Sequence, residues 1–275
     1  MIGEILLMQM DPTAYTEVNT LLDLLLSGIQ KILGSKLVGF YLYGSLVTGD
    51  FDLESSDIDL LAAMSSDLNE TEFDALQKMH RDLAKEHQDW DDRIEVAYLS
   101  VAALKTFRSQ SSKIAIISPG EPFHIKDAGS DWLINWYLVR KKGKTLFGPS
   151  PATLIDPISK AEFMRAVREQ TIAWREWIRQ TRLRRAQAYA ILTMCRAFYT
   201  LKKGEYPSKK QAALWAEKEL PEWSAFIQQA LAWREDWRNV HVDHEATLPQ
   251  TLQFVHLVLG QCEDTPGVSS LNPPL

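Results

Sequence analysis

Cysteine is scarce in this 275-residue chain, and its scarcity argues against two kinds of stabilised scaffold. Only Cys195 and Cys262 occur, far apart in the sequence and without partners at the spacing of a metal motif. We therefore expect neither a disulfide framework nor a zinc site. So little cysteine also suits a reducing compartment, which indicates a cytoplasmic protein.

Long hydrophobic runs are missing too, because no stretch approaches the roughly 18 apolar residues that a membrane-spanning helix needs. Hydrophobic residues nevertheless make up 45% of the chain and charged residues 24%, the composition of a globular protein with real cores. The length suits two domains of roughly 100–200 residues each. We expect a two-domain monomer without a membrane partner.

The N-terminal half of the chain lacks an excess of positive charge. Residues 1–155 hold 14 Lys and Arg against 22 Asp and Glu, whereas residues 156–275 hold 16 against 14. A surface that binds nucleic acid needs a basic face, so nucleic acid is not an expected partner. The acidic half suits metal ions instead.

Apolar periodicity predicts a mixed sheet with helices in the N-terminal half. Spacings of three and four residues predict helices at Tyr15–Leu33 and at residues 70–88. Short aromatic or β-branched runs predict strands at Leu37–Tyr43, Asp57–Met64 and Arg93–Leu99. This order of elements predicts an α+β domain.

A segment with three prolines, residues 149–157, divides the chain, and beyond it almost every segment favours helix. We predict an α+β catalytic domain at residues 1–155, an all-α helical bundle at residues 156–262 and a flexible tail at residues 263–275. The predicted helices of the bundle are Lys160–Arg185, Ala186–Lys203, Ser208–Leu220, Glu222–Arg238 and Leu248–Gln261.

Two carboxylates stand at the start of a predicted strand, in the segment Ser56-Asp57-Ile58-Asp59. Because side chains alternate along a strand, Asp57 and Asp59 share one face while Ile58 enters the core. Paired carboxylates, together with substrate phosphates, are ligands that Mg²⁺ prefers. Two such ions could stabilise both the attacking and the leaving oxygen of an in-line displacement.

A glycine and a serine end the preceding predicted strand. Gly44 lets the backbone approach a ligand, and the Ser45 hydroxyl stands beside N–H groups that suit phosphate oxygens. The pattern G-S-x₁₀-S-D-x-D, through Gly44, Ser45, Ser56, Asp57 and Asp59, resembles the nucleotidyltransferase superfamily that includes DNA polymerase β. The resemblance implies that Gly44, Ser45 and Ser56 help to bind a nucleotide.

The same resemblance implies a third carboxylate from a later strand. Glu95 in the segment RIEVAYL is the best match, because alternation places it opposite Ile94 and Val96. Asp57, Asp59 and Glu95 would then bind two Mg²⁺ ions, and Glu95 would also serve as the catalytic base. The competitors, which precede the strand, are Asp89, Asp91 and Asp92.

Over roughly residues 35–235 the chain resembles the aminoglycoside adenylyltransferases of the streptomycin and spectinomycin type. The similar segments are YLYGSLVTGDFDLESSDIDLL, KTLFGP, ILTMCRAFYTLKKGE and PSKKQAALWAEKELP. The resemblance implies transfer of AMP from ATP to a hydroxyl of a small acceptor molecule. It further implies that the helical domain closes over both substrates, with Arg196 and Lys209 contacting the nucleotide.

The acceptor stays open between the spectinomycin and streptomycin classes and another hydroxylated small molecule, because the segment RQTRLRRAQAY is basic where streptomycin-type members place acids and a histidine. Trp177 could stack on a substrate ring. Two other functions also stay open. Arg238 and His244 match the R-x₄₋₆-H pattern of ribonuclease-like helical domains in toxin–antitoxin systems, and the acceptor of the nucleotide could be a protein.

Overall fold

The computed structural model describes residues 11–180, 183–235 and 243–263. Helices and strands alternate in the first part of the chain. Its elements are α1 Thr16–Leu33, β1 Leu37–Tyr43, α2 Ser45–Thr48, β2 Ile58–Met64, α3 Glu70–Glu86, β3 Ile94–Ser100, α4 Val101–Thr106, β4 Ser112–Ser118, β5 Glu121–Ala128, α5 Leu133–Lys142, β6 Lys144–Phe147 and α6 Pro151–Leu154.

The described residues form one six-stranded sheet in the order β5-β4-β3-β2-β1-β6. Strands β2 and β3 pair in parallel, with α3 between them in the chain, and every other pair is antiparallel. The predicted α+β class with a mixed sheet is therefore confirmed. Strands β4, β5 and β6 are additions to the three predicted strands.

Helix α3 packs on one face of this sheet. A capping box between Asn69 and Glu72 fixes its first turn. On its buried side, His80 Nε2 lies 2.8 Å from the Tyr98 hydroxyl on β3. Because side chains alternate along β3, Tyr98 faces α3 while Glu95 points to the opposite face of the sheet.

Beyond Asp156 the described residues are mostly helical, which confirms the predicted helical region. The helices are α7 Lys160–Gln180, α8 Arg184–Lys203, α9 Lys209–Glu219, α10 Ser224–Glu235 and α11 Leu248–Glu263. The first of them ends five residues before the predicted Arg185, and the second begins two residues before the predicted Ala186. Gly204 ends α8 in the left-handed conformation, with φ 72°, that favours glycine.

The chain folds as two compact units that are not contiguous in sequence. Of the described residues, the first unit contains those up to Val47, then Asp57–Gly129 and Leu138–Asp156. The second contains Thr48–Ser56, Ser130–Tyr137 and the described residues from Pro157 onward. The segment between β1 and β2 thus belongs with the C-terminal helices, which periodicity does not predict.

Some predicted features lie outside the described residues. These are the flexible tail after Glu263, together with Arg182 and Arg238. Within the described ranges, none of the helices combines the length and the apolar character needed to cross a membrane.

Candidate active site

A row of three polar side chains crosses the middle of the sheet. In the antiparallel register of β1 and β2, Tyr43 stands opposite Asp59. In the parallel register of β2 and β3, Asp59 stands opposite Glu95. Neighbouring strands lie about 4.8 Å apart, so the three side chains are adjacent on the face opposite α3. The sheet therefore brings together two of the predicted carboxylates and one tyrosine.

Tyr43 and Glu95 are joined directly across this row, since the tyrosine hydroxyl donates a 3.1 Å hydrogen bond to Glu95 Oε1. Burial, and after it the nearby charge of Asp57, raise the pKa of Glu95 to about 7, against the opposing effect of the Tyr43 hydrogen bond. A carboxyl group with a pKa near neutrality can accept a proton and release it again at physiological pH.

Tyr43 is itself buried, and burial together with the charges of Glu95 and Asp59 raises its pKa well above the usual range. Tyr43 is therefore a hydrogen-bond donor and not an ionised group. The sequence interpretation omitted this residue. Alternation along β1 could have identified it, because Tyr43 is the last strand residue before Gly44 and faces the carboxylates.

Asp57 lies just before β2 rather than inside it, yet its backbone is held on both sides. The Ile58 N–H donates a 2.9 Å hydrogen bond to the Arg93 carbonyl oxygen. The Ser56 N–H donates a 2.9 Å bond to the Asp52 carbonyl oxygen, and Ser56 is 2% exposed. Asp57 is therefore placed by its two neighbours.

Gly44 follows β1 with φ 70°, a left-handed conformation that favours glycine. A Cβ atom at this position would lie 1.7 Å from Asp59 Oδ2. The Asp59 carboxylate therefore occupies the space that any other residue at position 44 would need. Ser45 begins the one-turn helix α2 directly after this glycine.

The residues fit a magnesium ion by their chemistry. Asp57, Asp59 and Glu95 supply oxygen ligands. Burial and then the charge of Asp57 raise the pKa of Glu95, and a bound cation would relieve the repulsion between these two carboxyl groups. Among the described residues, however, no three His, Cys, Asp or Glu side chains are arranged to hold a metal ion as they stand. The metal role of these acids stays a prediction.

The other predicted site residues belong to the second unit, where each contacts an aromatic ring. The Arg196 guanidinium lies 4.5 Å from the ring centre of Tyr206. The Lys209 ammonium lies 3.7 Å from the ring centre of Tyr189. Trp177 is 42% exposed, and its ring centre is 4.5 Å from that of Trp174.

Sequence profiles of two families match this chain. Residues 26–122 match the nucleotidyltransferase domain, and residues 153–260 match the C-terminal domain of aminoglycoside adenylyltransferase. The first match contains the Tyr43–Asp59–Glu95 row, and the second contains Trp177, Arg196 and Lys209. The chain therefore combines a nucleotidyltransferase domain with the C-terminal domain of an aminoglycoside adenylyltransferase. The predicted family and the predicted nucleotidyltransferase class are thereby confirmed.

Curated relatives of this adenylyltransferase extend over most of its length. An aminoglycoside (3'') (9) adenylyltransferase of Escherichia coli is 27% identical over 269 residues, which is 91% of this chain and 97% of the relative. A spectinomycin 9-adenylyltransferase of Staphylococcus aureus is 24% identical over 202 residues, which is 70% of this chain and 75% of the relative.

A solved structure shares the fold of this adenylyltransferase. It is a spectinomycin adenylyltransferase of Enterococcus faecialis, crystallised with ATP and spectinomycin. The TM-score is 0.71 at 18% sequence identity, and the match covers 88% of this chain and 98% of the other.

His244, one half of the ribonuclease-like pattern, is engaged with helix α8 in this adenylyltransferase. Its Nδ1 accepts a 3.0 Å hydrogen bond from the Arg184 backbone N–H. Its carbonyl oxygen accepts a 2.6 Å hydrogen bond from Gln187 Nε2. The described contacts of His244 thus hold the first turn of α8.

Proposed function

We propose that this enzyme transfers AMP from ATP to a hydroxyl group of an aminoglycoside or aminocyclitol antibiotic of the spectinomycin or streptomycin class, with Mg²⁺ as cofactor. The observation that carries the proposal is the row of Tyr43, Asp59 and Glu95, with Asp57 held beside it. The names of the relatives support AMP transfer and this class of acceptor.

ATP is the proposed donor because the Enterococcus enzyme of the same fold was crystallised with ATP. Its second ligand, spectinomycin, supports a small hydroxylated acceptor. ATP is abundant in the cytoplasm, which we retain as the expected location. A monomer, two bound Mg²⁺ ions and the division at residues 155 and 156 also remain part of the proposal.

In the proposed reaction, Glu95 accepts the proton of the acceptor hydroxyl while the acceptor oxygen attacks the α-phosphorus of ATP and pyrophosphate leaves. A pKa of about 7 suits this role, because the base is available at physiological pH and still holds the proton strongly. Tyr43 orients the base through its hydrogen bond to Oε1. Most of the acceleration comes from positioning and from charge stabilisation.

When bound, Mg²⁺ would neutralise charge on the triphosphate and on the leaving pyrophosphate. Asp57 and Asp59 would hold it, with Glu95 as the third oxygen ligand. Gly44 and Ser45 would cradle phosphate oxygens with backbone N–H groups, and the hydroxyl of Ser56 stays a predicted contact of the same kind.

Three residues of the second unit complete the proposal. Arg196 and Lys209 would neutralise phosphate charge, and Trp177 would stack on an acceptor ring. The support for these three roles comes from the immediate surroundings of each residue. Each cation already rests on a tyrosine face, which holds it in one place, and the Trp177 ring is substantially exposed.

The decisive experiment incubates the purified protein with Mg²⁺, each nucleoside triphosphate in turn and a panel of aminoglycosides. Pyrophosphate release identifies the donor, and a mass gain equal to AMP identifies the acceptor. Asp57→Asn serves as the inactive control. Its melting temperature should lie within a few degrees of that of the unchanged protein, because the backbone hydrogen bonds of Ser56 and Ile58 remain. Pyrophosphate release that leaves every acceptor mass unchanged would refute the antibiotic acceptor.

A further inference from the structure

The segment that leads into Asp57 is tied to the C-terminal helices by one arginine. Arg234, in the last turn of α10, places Nη1 3.4 Å from Asp50 Oδ2 and donates from Nη2 to Ser56 Oγ at 3.2 Å. The side chains of Arg234 and Asp50 are 24% and 12% exposed. We call Arg234, Asp50 and Ser56 the Arg234 cluster.

Asp50 makes a second contact, at the start of α9. Its Oδ2 accepts a 3.1 Å hydrogen bond from the Lys210 backbone N–H. The first turn of α9 is otherwise satisfied by a capping box between Ser208 and Gln211. A carboxylate at the N-terminus of a helix is stabilised by the helix dipole. Through its bond to Lys210, the residue after Lys209, Asp50 connects the segment that precedes Asp57 to the first turn of α9.

Ser56 is the member of the cluster that transmits position to Asp57. Its Oγ accepts a 2.9 Å hydrogen bond from the Asp52 N–H as well as the bond from Arg234. Asp52 in turn accepts from the backbone N–H groups of Glu54 and Ser55 through Oδ1. The turn before Asp57 is therefore closed by its own hydrogen bonds and anchored at both ends by one guanidinium.

We propose that Arg234 is a positioning residue for the nucleotidyl-transfer site. It acts through Ser56 on the placement of Asp57, and through Asp50 on the first turn of α9. This inference rests on the proposed function for the role of Asp57. The effect of Arg234 on the structure of the segment before Asp57 does not depend on that function. The hydrogen bonds of Arg234 go to Asp50 and Ser56, so its effect on Asp57 is indirect.

The chemistry of the cluster requires arginine rather than any cation. The planar guanidinium carries several donors in a fixed fork, which allows one side chain to reach Asp50 and Ser56 together. An ammonium group is a compact charge on a flexible stem, so lysine would keep the attraction to Asp50 and lose the second bond. A lysine variant therefore separates charge from geometry.

The test compares Arg234→Gln, Arg234→Lys and Asp50→Asn with the control Arg175→Gln, which removes an arginine from an exposed ion pair on α7. Backbone hydrogen exchange is measured without nucleotide. In Arg234→Gln we expect exchange at residues 52–58 to rise about tenfold, because a charge-assisted hydrogen bond no longer closes the segment. Arg234→Lys should lie in between.

A second readout is the Mg²⁺ concentration that gives half-maximal ATP binding, measured without an acceptor. We expect it to rise about tenfold in Arg234→Gln, about the effect of losing one charge-assisted hydrogen bond, while the melting temperature stays close to that of Arg175→Gln. A merely structural role would lower the melting temperature and leave the Mg²⁺ requirement unchanged. Asp50→Asn repeats the test if Arg234→Gln does not fold.

The two readouts distinguish the ways of failing. Unchanged exchange at residues 52–58 in both Arg234 variants overturns the inference, whatever the reaction proves to be. Unchanged Mg²⁺ dependence with faster exchange also overturns it, because the segment then does not govern Asp57. Absence of AMP transfer in the unchanged protein, with the exchange effect present, refutes the proposed function and leaves the positioning of the segment supported.

Discussion

The buried carboxyl group of Glu95 should make the metal-free protein less stable as the pH rises. Its pKa is about 7 in the folded protein, compared with 4.5 for an unperturbed glutamate. Between these values the folded state retains a proton that the unfolded chain has released. The free energy of unfolding must therefore fall as the pH rises. The stabilising contribution of protonated Glu95 is complete below pH 4.5 and is lost as the pH rises through about 7. At about 1.4 kcal/mol per pKa unit, the whole change amounts to about 3 kcal/mol.

Chemical unfolding in urea with EDTA measures this effect. The unchanged protein and Glu95→Gln are compared at about pH 4 and about pH 7.5, the two sides of the window. Glutamine resembles the protonated acid, so both proteins should be similar at the lower pH, and Glu95→Gln should be more stable by about 3 kcal/mol at the higher pH. Glu86→Gln, an exposed change on α3, controls for the loss of one charge.

The reasoning fails if Glu95→Gln and the unchanged protein show the same dependence on pH. A parallel slope would mean that Glu95 is solvated and ionised in the folded state, and that burial and the charge of Asp57 do not act on it. A difference confined to the lower pH would have the wrong sign and would also refute the assignment.

Two further substitutions test the same face of the sheet. Gly44→Ala should cost about 1–3 kcal/mol from its left-handed backbone and abolish ATP binding by displacing Asp59, whereas Gly49→Ala, also left-handed but with open space around it, should lose only the stability. Equal ATP binding in both alanine variants would contradict the role of the Asp59 contact. Tyr43→Phe removes a hydrogen bond that lowers the pKa of Glu95, so the acidic limb of kcat/KM should move up by about 1–2 pH units. An unmoved limb would show that Tyr43 does not act on the base.

Short runs of aromatic and β-branched residues were enough to predict the central strands. The predicted strand Leu37–Tyr43 matches β1, and β2 and β3 each begin one residue later than predicted. These strands are continuous buried runs, for which residue type alone is informative. The hairpin of β4 and β5 was not predicted, although a Pro-Gly turn separates its strands, because Ser112–Ser118 is only partly buried. Its pairing is settled by the edge of β3.

The candidate site likewise contains residues that the sequence predicts and one residue that it does not. Alternation and motif spacing suffice for Asp59 and Glu95, since both lie within strands whose register the buried residues determine. The role of Arg234 could not be predicted from the sequence, because its partner Asp50 is 184 residues away in the chain and neither residue belongs to a motif. Contacts over such separations arise from packing, which periodicity does not encode.

The grouping of residues 48–56 with the C-terminal helices affects the order of events during synthesis. Asp50 leaves the ribosome 184 residues ahead of Arg234, which at about 5–20 residues per second corresponds to about 10–40 s. During that time the strands of the first unit can pair while the segment between them has no arginine to hold it. A chain terminated before α10 would therefore lack the guanidinium that anchors the turn preceding Asp57.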